Sequence, residues 1–512
     1  MAHTYSDAVA SLNTLQTNFA VVDAIRKSGR KMNEQAIPEM VEWCRKIGYQ
    51  PSDLNKLKAI HIAGTKGKGS TSAFVSSILT QFVDTTPGDQ NGKPLSKIGL
   101  YTSPHLRFVR ERIQINGQPL TEEQFAKYFF ETWDRLERAA KEQGQDPKSP
   151  QAKPVYFRFL TLVAFHTYMS EGVNTAVIEC GIGGAYDSTN ILQQPAVTGI
   201  TSLGIDHVGV LGNTLPEIAW HKAGIMKPGS KCYTTSSQLP EAKEILGKVS
   251  SEVKSELIYI DVDPRIESGE IKLGLEADFQ KVNASLALAI ARDWLTQHGY
   301  HKGPDYEAKL AKGLREVKWP GRCETRRDQN LTWYIDGGHT LESIKLAGQW
   351  YASTQQKLQT GPDTTSSRPR RYLIFNQQTR DARALSRALY DTLSTTLHDS
   401  HPFTHVIFCT NTTFKEAGFK PDLLSVNTNA SDVEALKVQN ELAEAWKSID
   451  QQAEVSVVRT IEEAVEVVKS ASNTSTGEVA ALVTGSLHLV GGFLEVVETQ
   501  EARKNSLQSQ DQ

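Results

Sequence analysis

Short runs of β-branched and other apolar residues alternate with longer amphipathic stretches along nearly the whole chain. In its N-terminal part the runs are Ala59–Ala63, Ile98–Thr102, Thr175–Cys180 and Ala196–Leu203. Strands that alternate with helices predict a parallel sheet covered by helices on both faces. In such sheets ligands bind beyond the carboxyl ends of the strands, so the residues that follow each run are the candidates for chemistry.

A second set of apolar runs begins after the segment Trp319–Arg322. Its members are Leu331–Ile335, Tyr372–Phe375, His405–Cys409, Val455–Val458 and Val479–Val483. Each run is followed by a stretch that is typical of a helix. The sequence therefore predicts an α/β protein with a domain of residues 1–318, a hinge linker at 319–322 and a second α/β domain of residues 323–512.

The composition is that of an ordinary globular protein. The 512 residues are 39% apolar and 22% charged, and 56 basic against 59 acidic residues give a net charge of -3. The absence of a general basic field argues against nucleic acid as the main partner. No stretch approaches the length of apolar sequence that a membrane span needs.

The five cysteines are far apart, odd in number and form no CxxC pair. This pattern argues against a disulfide framework and a structural zinc site, and favours a reducing compartment. The N-terminal sequence has no apolar signal core and no arginine-rich leader, so we expect a cytoplasmic protein. One chain leaves open a longer isoform with a mitochondrial leader.

The turn after Ala59–Ala63 reads GTKGKGST and precedes a helix predicted over Ser72–Phe82. Its glycines allow backbone amides to point at phosphate oxygens, and the helix N-terminus adds positive potential. Lys68 would neutralise the charge of the β- and γ-phosphates. The strict P-loop pattern is not met, because Ile62 stands at its first glycine position and Gly69 follows the lysine. The alternative is a solvated turn rich in glycine and lysine.

Two further residues stand where chemistry is expected. Glu179 ends a strand run, where a carboxylate has no packing role but can offer magnesium the oxygen ligand that it prefers. Lys222 lies in the sequence WHKAGI, which we predict to be helical. It is either a solvated lysine or a site residue.

Several other motifs occur in a fixed order along the chain: YTSPHL (Tyr101–Leu106), RERIQING (Arg110–Gly117), ECGIGGAYDSTN (Glu179–Asn190), DGGHTLES (Asp336–Ser343) and VTGSLHLVGG (Val483–Gly492). With GTKGKGS and the opening LNTLQTN they resemble the eukaryotic-type folylpolyglutamate synthase family of the Mur-type ligases. That resemblance implies an N-terminal P-loop ATPase-like domain with a parallel sheet, a C-terminal Rossmann-like glutamate-ligase domain, and an active site in the cleft between them.

The resemblance also implies a reaction. The family ligates L-glutamate to the γ-carboxylate of reduced folates, using ATP and an acyl phosphate intermediate. Three alternatives stay open: a dihydrofolate synthase that performs the same chemistry on dihydropteroate, a catalytically inactive Mur-like binding protein, and a P-loop kinase or motor.

Carried over residue by residue, the resemblance implies the following roles. Catalytic residues are Lys68, Lys222 and His339. ATP-binding residues are Gly64, Thr65, Lys66, Gly67, Lys68, Gly69, Ser70, Gln280, Asn283, Arg322 and Asp336. Magnesium ligands are Ser103, Glu179, His207 and Lys222, the last as a carbamate formed with CO₂. Candidates for the glutamate site are Arg380, Asp381, Ser486 and His488.

This sequence departs from the family pattern at two of these motifs. Phe279 replaces the histidine before Gln280, and Gly338 replaces an alanine in the motif that contains Asp336. The expected cofactors are ATP and Mg²⁺, as one or two ions, with room for a monovalent cation. The expected partners are reduced folates, L-glutamate and ATP, without nucleic acid or a membrane span, in a monomeric protein.

Overall fold

The computed structural model describes residues 3–16, 35–83, 94–301, 303–359, 370–378, 381–416, 436–475 and 477–510. The chain divides into two compact units. The first comprises Met1–His105 and Val109–Lys318, and the second comprises Leu106–Phe108 and Trp319–Gln512. The range 1–318 thus includes three residues that belong to the second unit, where Leu106 packs against the hydrophobic core.

The first unit is built on an eight-stranded sheet in the order β4-β3-β2-β5-β1-β6-β7-β8. The strands are β1 Ile60–Ala63, β2 Ile98–Tyr101, β3 Ile113–Ile115, β4 Gln118–Pro119, β5 Thr175–Glu179, β6 Val197–Ile200, β7 Lys231–Thr235 and β8 Glu256–Ile260. All neighbouring pairs are parallel except β2 with β3 and β3 with β4, which are antiparallel. The strands β1, β2, β5 and β6 are buried throughout, as both faces of a helix-covered parallel sheet should be.

Helices cover this sheet. They are α1 Tyr5–Thr14, α2 Ala36–Lys46, α3 Lys68–Thr80, α4 Glu122–Glu142, α5 Tyr156–Glu171, α6 Val208–Leu211, α7 Leu215–Ala223, α8 Pro240–Val253, α9 Pro264–Glu267, α10 Asp278–Gln297 and α11 Tyr306–Glu316. Between them lie 3₁₀ turns at Pro51–Leu57, Val109–Arg112, Pro150–Ala152 and Ser188–Ile191. Helix α4 begins at a capping box, in which Thr121 and Gln124 each accept the other's backbone amide.

The second unit has a six-stranded sheet in the order β13-β12-β11-β14-β10-β9. Its strands are β9 Glu324–Asp328, β10 Leu331–Ile335, β11 Arg370–Phe375, β12 His405–Phe408, β13 Glu454–Val457 and β14 Val479–Thr484. Only β9 runs antiparallel to its neighbour. The helices are α12 Leu341–Gln359, α13 Ala382–Leu397, α14 Lys437–Ile449, α15 Ile461–Thr474 and α16 Leu487–Gln510.

The predicted α/β class and its mainly parallel sheets are confirmed, and every predicted strand is present within about three residues of its expected ends. The helix expected over Ser72–Phe82 begins earlier, at Lys68, because the glycine-rich turn passes directly into the first helical turn. In the described part of the chain, no helix is both long and apolar enough to cross a membrane.

Candidate active site

Residues from five adjacent strands meet at one edge of the first sheet. Four parallel strands end there: β2 before Ser103, β5 at Glu179, β1 before Gly64 and β6 before Thr201. The antiparallel strand β3 begins at the same edge. Register confirms the alignment, since Ile62 in β1 lies beside Glu179 in β5 and Ala63 lies beside Ile200 in β6. This is the edge at which parallel sheets bind ligands.

Two glycines give the turn after β1 its shape. Gly64 has φ +147°, and a Cβ placed on it would lie 1.9 Å from Oγ1 of Thr201. Gly67 has φ +89°, and its Cβ would lie 2.2 Å from Oδ1 of Asn283. Larger side chains are therefore excluded from both positions by backbone conformation and by close neighbours.

The amides of the turn fall into two groups. Thr65 and Lys66 both donate their amides to the carbonyl of Ser202, at 3.1 and 3.0 Å, so these two groups face the protein. The amides of Gly67–Ser70 precede the first intrahelical bond, which runs from Thr71 N to Gly67 O. These four amides form the N-terminus of α3, and they are the ones suited to an anion.

The two lysines of the turn are placed differently. Nζ of Lys68 donates to the carbonyl of Gly64 at 3.1 Å, which folds the side chain back over the loop. Nζ of Lys66 lies 3.3 Å from Oδ2 of Asp206, whose other oxygen accepts the amide of His207 at 2.9 Å. We call the turn Gly64–Ser70 the phosphate turn. Lys68 lies over this turn, while Lys66 links the turn to the segment after β6 through its ion pair with Asp206.

Gln280 and Asn283, which we predicted to bind ATP, lie in α10 and contact the glycine-rich turn. Gln280 is fully buried in α10 and donates from Nε2 to Oγ of Ser70 at 3.1 Å. Its Oε1 accepts from Nδ2 of Asn283 at 2.9 Å. The fully buried Gln280 therefore contacts the turn through the hydroxyl of Ser70.

Ser103 and Glu179 lie together, as the resemblance implies. The amide of Ser103 donates to Oε2 of Glu179 at 3.1 Å, and Glu179 is 3% exposed. His207 caps the short helix α6 with φ +52°, beyond the end of β6. Among the described residues there is no cluster of three or more His, Cys, Asp or Glu side chains arranged as a metal site.

Magnesium does not need such a cluster, because it takes few protein ligands and keeps several waters. One buried carboxylate at the end of β5, beside the hydroxyl-bearing Ser103 and near the start of the phosphate turn, fits that requirement. The residues present therefore fit a magnesium ion.

Lys222 is buried, with only 1% of its surface exposed, near the end of α7. The interpretation as a solvated lysine is wrong. Burial, and to a lesser extent the nearby charge of Lys68, lower the pKa of Lys222 to about 7, against smaller opposing effects of Cys180, Asp206 and Asp187. Its ammonium therefore lies in the field of the phosphate turn, and its amine is substantially neutral near pH 7.

A buried polar network behind this edge was missed from the sequence. Oδ2 of Asp187 accepts the amides of Gly181 and Ile182 at 3.0 Å, and Oδ1 accepts the amide and hydroxyl of Thr189 at 3.0 and 2.6 Å. Burial raises the pKa of Asp187, and these hydrogen bonds oppose the rise. The network fixes the loop that follows Glu179. The spacing Asp-x-Thr, in which the carboxylate accepts an amide two residues on, was the signal available in the sequence.

His61 in β1 joins the same network. Its Nε2 lies 2.8 Å from Oγ1 of Thr189 and 3.1 Å from Sγ of Cys180. Because the Thr189 hydroxyl already donates to Asp187, Nε2 must be the donor to Thr189. Burial lowers the pKa of His61 to about 3, with a contribution from Lys227, so the ring is neutral. The strand that carries the phosphate turn is thereby tied to the loop after Glu179.

In the second unit, Asp336 organises the turn after β10. Its Oδ2 accepts the amide of Cys323 at 3.0 Å and its Oδ1 accepts the amide of Gly338 at 2.9 Å. Burial raises the pKa of Asp336, and the charge of Arg322 opposes the rise. Nδ1 of His339 lies 3.0 Å from the carbonyl of Gly337. The structure therefore brings Arg322, Asp336 and His339 together.

The glutamate-site candidates have mainly structural contacts. Asp381 caps α13 by accepting the amide of Ala384 at 2.9 Å, and Ser486 accepts the amide of Leu489 at 3.1 Å at the start of α16. His488 is exposed in the first turn of α16. Arg380 lies outside the described residues.

A chain of amides at the carboxyl edge of the second sheet was also missed. Gln439 donates to Asn376 at 2.9 Å, Asn376 donates to Asn411 at 2.8 Å, and Asn411 donates to Gln378 at 3.2 Å. These residues follow β11 and β12, except Gln439, which lies in α14. Amide side chains at the ends of two adjacent strands were the available signal.

No protein-family model matches the chain. It is 44% identical over 511 residues to the folylpolyglutamate synthase of Neurospora crassa, covering 98% of this chain and 93% of that protein. It is also 44% identical over 504 residues to the folylpolyglutamate synthase of Saccharomyces cerevisiae strain AWRI796, covering 97% and 87%. Mycobacterium tuberculosis folylpolyglutamate synthase complexed with ADP has a similar fold, with TM-score 0.65, 23% identity, and coverage of 96% and 99%.

Proposed function

The chain belongs to the folylpolyglutamate synthase family, and we propose that it ligates L-glutamate to the γ-carboxylate of reduced folates, coupled to the cleavage of ATP into ADP and phosphate. The observation that carries this proposal is the meeting of the phosphate turn, the Ser103–Glu179 pair and buried Lys222 at one sheet edge. A kinase or motor needs no such buried lysine, and an inactive binding protein needs none of these groups.

The chemistry has two steps. A carboxylate oxygen of the folate attacks the γ-phosphorus of ATP, which forms an acyl phosphate and releases ADP. The α-amine of glutamate then attacks the acyl carbon, the C–O bond to phosphate breaks, and the amine loses a proton. The amides of Gly67–Ser70 and the ammonium of Lys68 stabilise the charge on the transferring phosphoryl group.

We propose that Ser103, Glu179 and His207 hold Mg²⁺, with Lys222 as a further ligand in carbamate form. When bound, the metal neutralises phosphate charge and orients the γ-phosphoryl group. The buried Glu179 carboxylate is held toward this role by the amide of Ser103. Asp206, which accepts the His207 amide, fixes the backbone that presents the histidine.

The carbamate forms when the neutral amine of Lys222 attacks CO₂ and loses a proton. Its carboxylate-like oxygens are hard ligands, whereas an ammonium at this position would repel a cation. The pKa of about 7 supports the assignment, because a substantial fraction of neutral amine is available at neutral pH. Arginine would not serve, since a guanidinium stays protonated.

In the second unit we assign Arg322 and Asp336 to the nucleotide and His339 to catalysis. Asp381, Ser486, His488 and Arg380 remain our candidates for the glutamate site. The contacts of Asp381 and Ser486 add a capping role to that assignment. Residues 319–322 serve as the hinge linker.

We further propose a monomeric, cytoplasmic enzyme that uses ATP and Mg²⁺, with room for a monovalent cation. The five cysteines are free and buried, which suits a reducing compartment.

Release of ADP, measured with and without each substrate, tests the proposed function. We expect turnover to require both a reduced folate and L-glutamate, and dihydropteroate to be a poor acceptor, because its reacting carboxylate sits in a different place and small positioning errors are costly. Equal or faster turnover of dihydropteroate would make the protein a dihydrofolate synthase.

A further inference from the structure

Arg112 is a nearly buried cation that has no acidic partner in the part of the chain that the structure describes. It is only 8% exposed. Its Nε donates to Nδ1 of His105 at 3.0 Å, and its guanidinium carbon lies 5.6 Å from the ring centre of Tyr156. Among the residues that the structure describes, no carboxylate forms an ion pair with it.

Arg112 lies at the same sheet edge as the proposed active site. It ends the 3₁₀ turn Val109–Arg112 that leads into β3, and its carbonyl accepts the amide of Thr102 at 3.0 Å. The next residue, Ser103, donates to Glu179. The order along the edge is therefore Arg112, Ser103, Glu179 and the phosphate turn, on the neighbouring strands β3, β2, β5 and β1. With a strand spacing near 4.8 Å, the backbone of Arg112 lies roughly 14 Å from that of the phosphate turn.

The donors of Arg112 are mostly unused. A guanidinium has five N–H donors, and only the one on Nε has a hydrogen-bond partner among the described residues. Burying a charge without a counter-charge is costly, so the missing partner is an anion that arrives with a ligand. The planar fork of Nη1 and Nη2 matches a carboxylate, which it can bind through two parallel hydrogen bonds.

We propose that Arg112 binds the α-carboxylate of the terminal glutamate residue of the folate acceptor; this inference rests on the proposed function. That residue carries an α- and a γ-carboxylate of similar chemistry, and only the γ-carboxylate reacts. Arg112 and the phosphate turn lie on opposite sides of Ser103 and Glu179 along the edge. Holding the α-carboxylate at Arg112 leaves the γ-carboxylate to face ATP, so Arg112 determines which carboxylate is activated.

The experiment compares two acceptors, a reduced folate and its α-carboxamide, which keeps the γ-carboxylate. The measured quantity is the ratio of kcat/KM for the two. We expect the natural protein to prefer the carboxylate by roughly 10- to 100-fold, the range of a charge-assisted hydrogen-bonded pair. Arg112→Gln should abolish the preference, and Arg112→Lys should reduce it, because an ammonium keeps the charge but lacks the fork.

Arg135→Gln is the matched control. Arg135 is a part-buried arginine of α4 whose Nη1 donates to the carbonyl of Ile47 at 2.7 Å, so its replacement should leave the preference unchanged. Because each ratio is measured within one variant, a loss of folded protein cancels. If Arg112→Gln yields no folded protein, Arg112→Lys carries the test alone.

A carboxylate could also come from the incoming amino acid, and a second pair of substrates separates the two sources. The same ratio for L-glutamate and its α-carboxamide should be unaffected by Arg112→Gln. A change in that ratio instead would overturn the assignment to the acceptor, as would a full preference for the acceptor carboxylate in both Arg112 variants. Failure of the proposed function would look different, since the natural protein would then turn over no folate at all.

Discussion

The two sheet edges that carry the proposed site residues use their polar groups in different ways. At the edge of the first unit, glycines shape the turn and the buried side chain of Gln280 holds it, while the amides of Gly67–Ser70 form the N-terminus of a helix. At the edge of the second unit, the side-chain oxygens of Asp336 and Ser486 accept hydrogen bonds from nearby backbone amides. The polar groups of the second edge therefore stabilise their own turns in addition to the roles proposed for them above.

This difference predicts separable effects of substitution. Variants at the first edge should lose activity and keep their stability, whereas variants at the second should lose both.

Lys68→Ala should reduce turnover by about 10²–10³-fold, because the ammonium stabilises charge that develops on the phosphoryl group. Lys68 is partly exposed and its ammonium bonds to the Gly64 carbonyl of its own loop, so the melting temperature should hardly move. Glu179→Ala should lose activity similarly through weaker binding of Mg²⁺. Steady-state ADP release across a magnesium titration checks both variants. Unchanged magnesium dependence in both would remove the proposed site from this edge.

Asp336→Ala should lower the free energy of unfolding by about 2–4 kcal/mol, because the amides of Cys323 and Gly338 lose their buried acceptor. Activity should fall with it. Denaturant unfolding measures the loss, and Asp328→Ala at the exposed end of β9 is the control. Full stability in Asp336→Ala would show that the second edge is no different from the first.

Activity should depend on pH through Lys222. Its pKa is depressed to about 7, so the neutral amine that forms the carbamate predominates above that pH and is lost as the pH falls through it. In buffer with limiting CO₂, activity should drop by about tenfold between pH 8 and pH 6, and added bicarbonate should partly restore it. Lys222→Ala should be inactive and insensitive to bicarbonate. Carbon-13 NMR with labelled bicarbonate would detect the carbamate directly, and an active alanine variant would refute it.

Gln280→Leu should raise the KM for ATP several-fold with a smaller change in kcat, because the loop loses the bond to Ser70 while Lys68 stays in place. Gln280→Glu is the matched variant, since it retains an acceptor for Asn283 but no donor for Ser70. An effect on kcat alone would argue that Gln280 acts in the chemical step.

The buried strands could be predicted from the sequence, whereas the polar strand at the side of the second sheet could not. The buried strands β1, β2, β5 and β6 were predictable because each is a run of apolar residues. By contrast β9, with the sequence ETRRD, is a polar edge strand that has no apolar signal, and its place depends on pairing with β10. The grouping of Leu106–Phe108 with the second unit also has no signal in the sequence, because three residues carry no periodicity.

For the site, the motifs located the residues but not their contacts. Gln280 was expected at the nucleotide, yet a sequence cannot show that it is fully buried beneath Ser70. The sequence allows Lys222 to be either a solvated lysine or a site residue, because only its burial in the structure distinguishes the two. His61 and Thr189 stand 128 residues apart, and only the pairing of β1 with β5 brings them together.

The most direct test of the account is the fate of oxygen in the acceptor carboxylate. A reduced folate labelled with oxygen-18 in its γ-carboxylate is turned over with ATP and L-glutamate, and the released phosphate is analysed by mass spectrometry. Activation through an acyl phosphate transfers one labelled oxygen to the phosphate when the amine displaces it, and this is the result that we predict. Phosphate without the label, formed while the folate gains glutamate, would contradict phosphoryl transfer to the acceptor at the edge formed by Lys68 and Glu179.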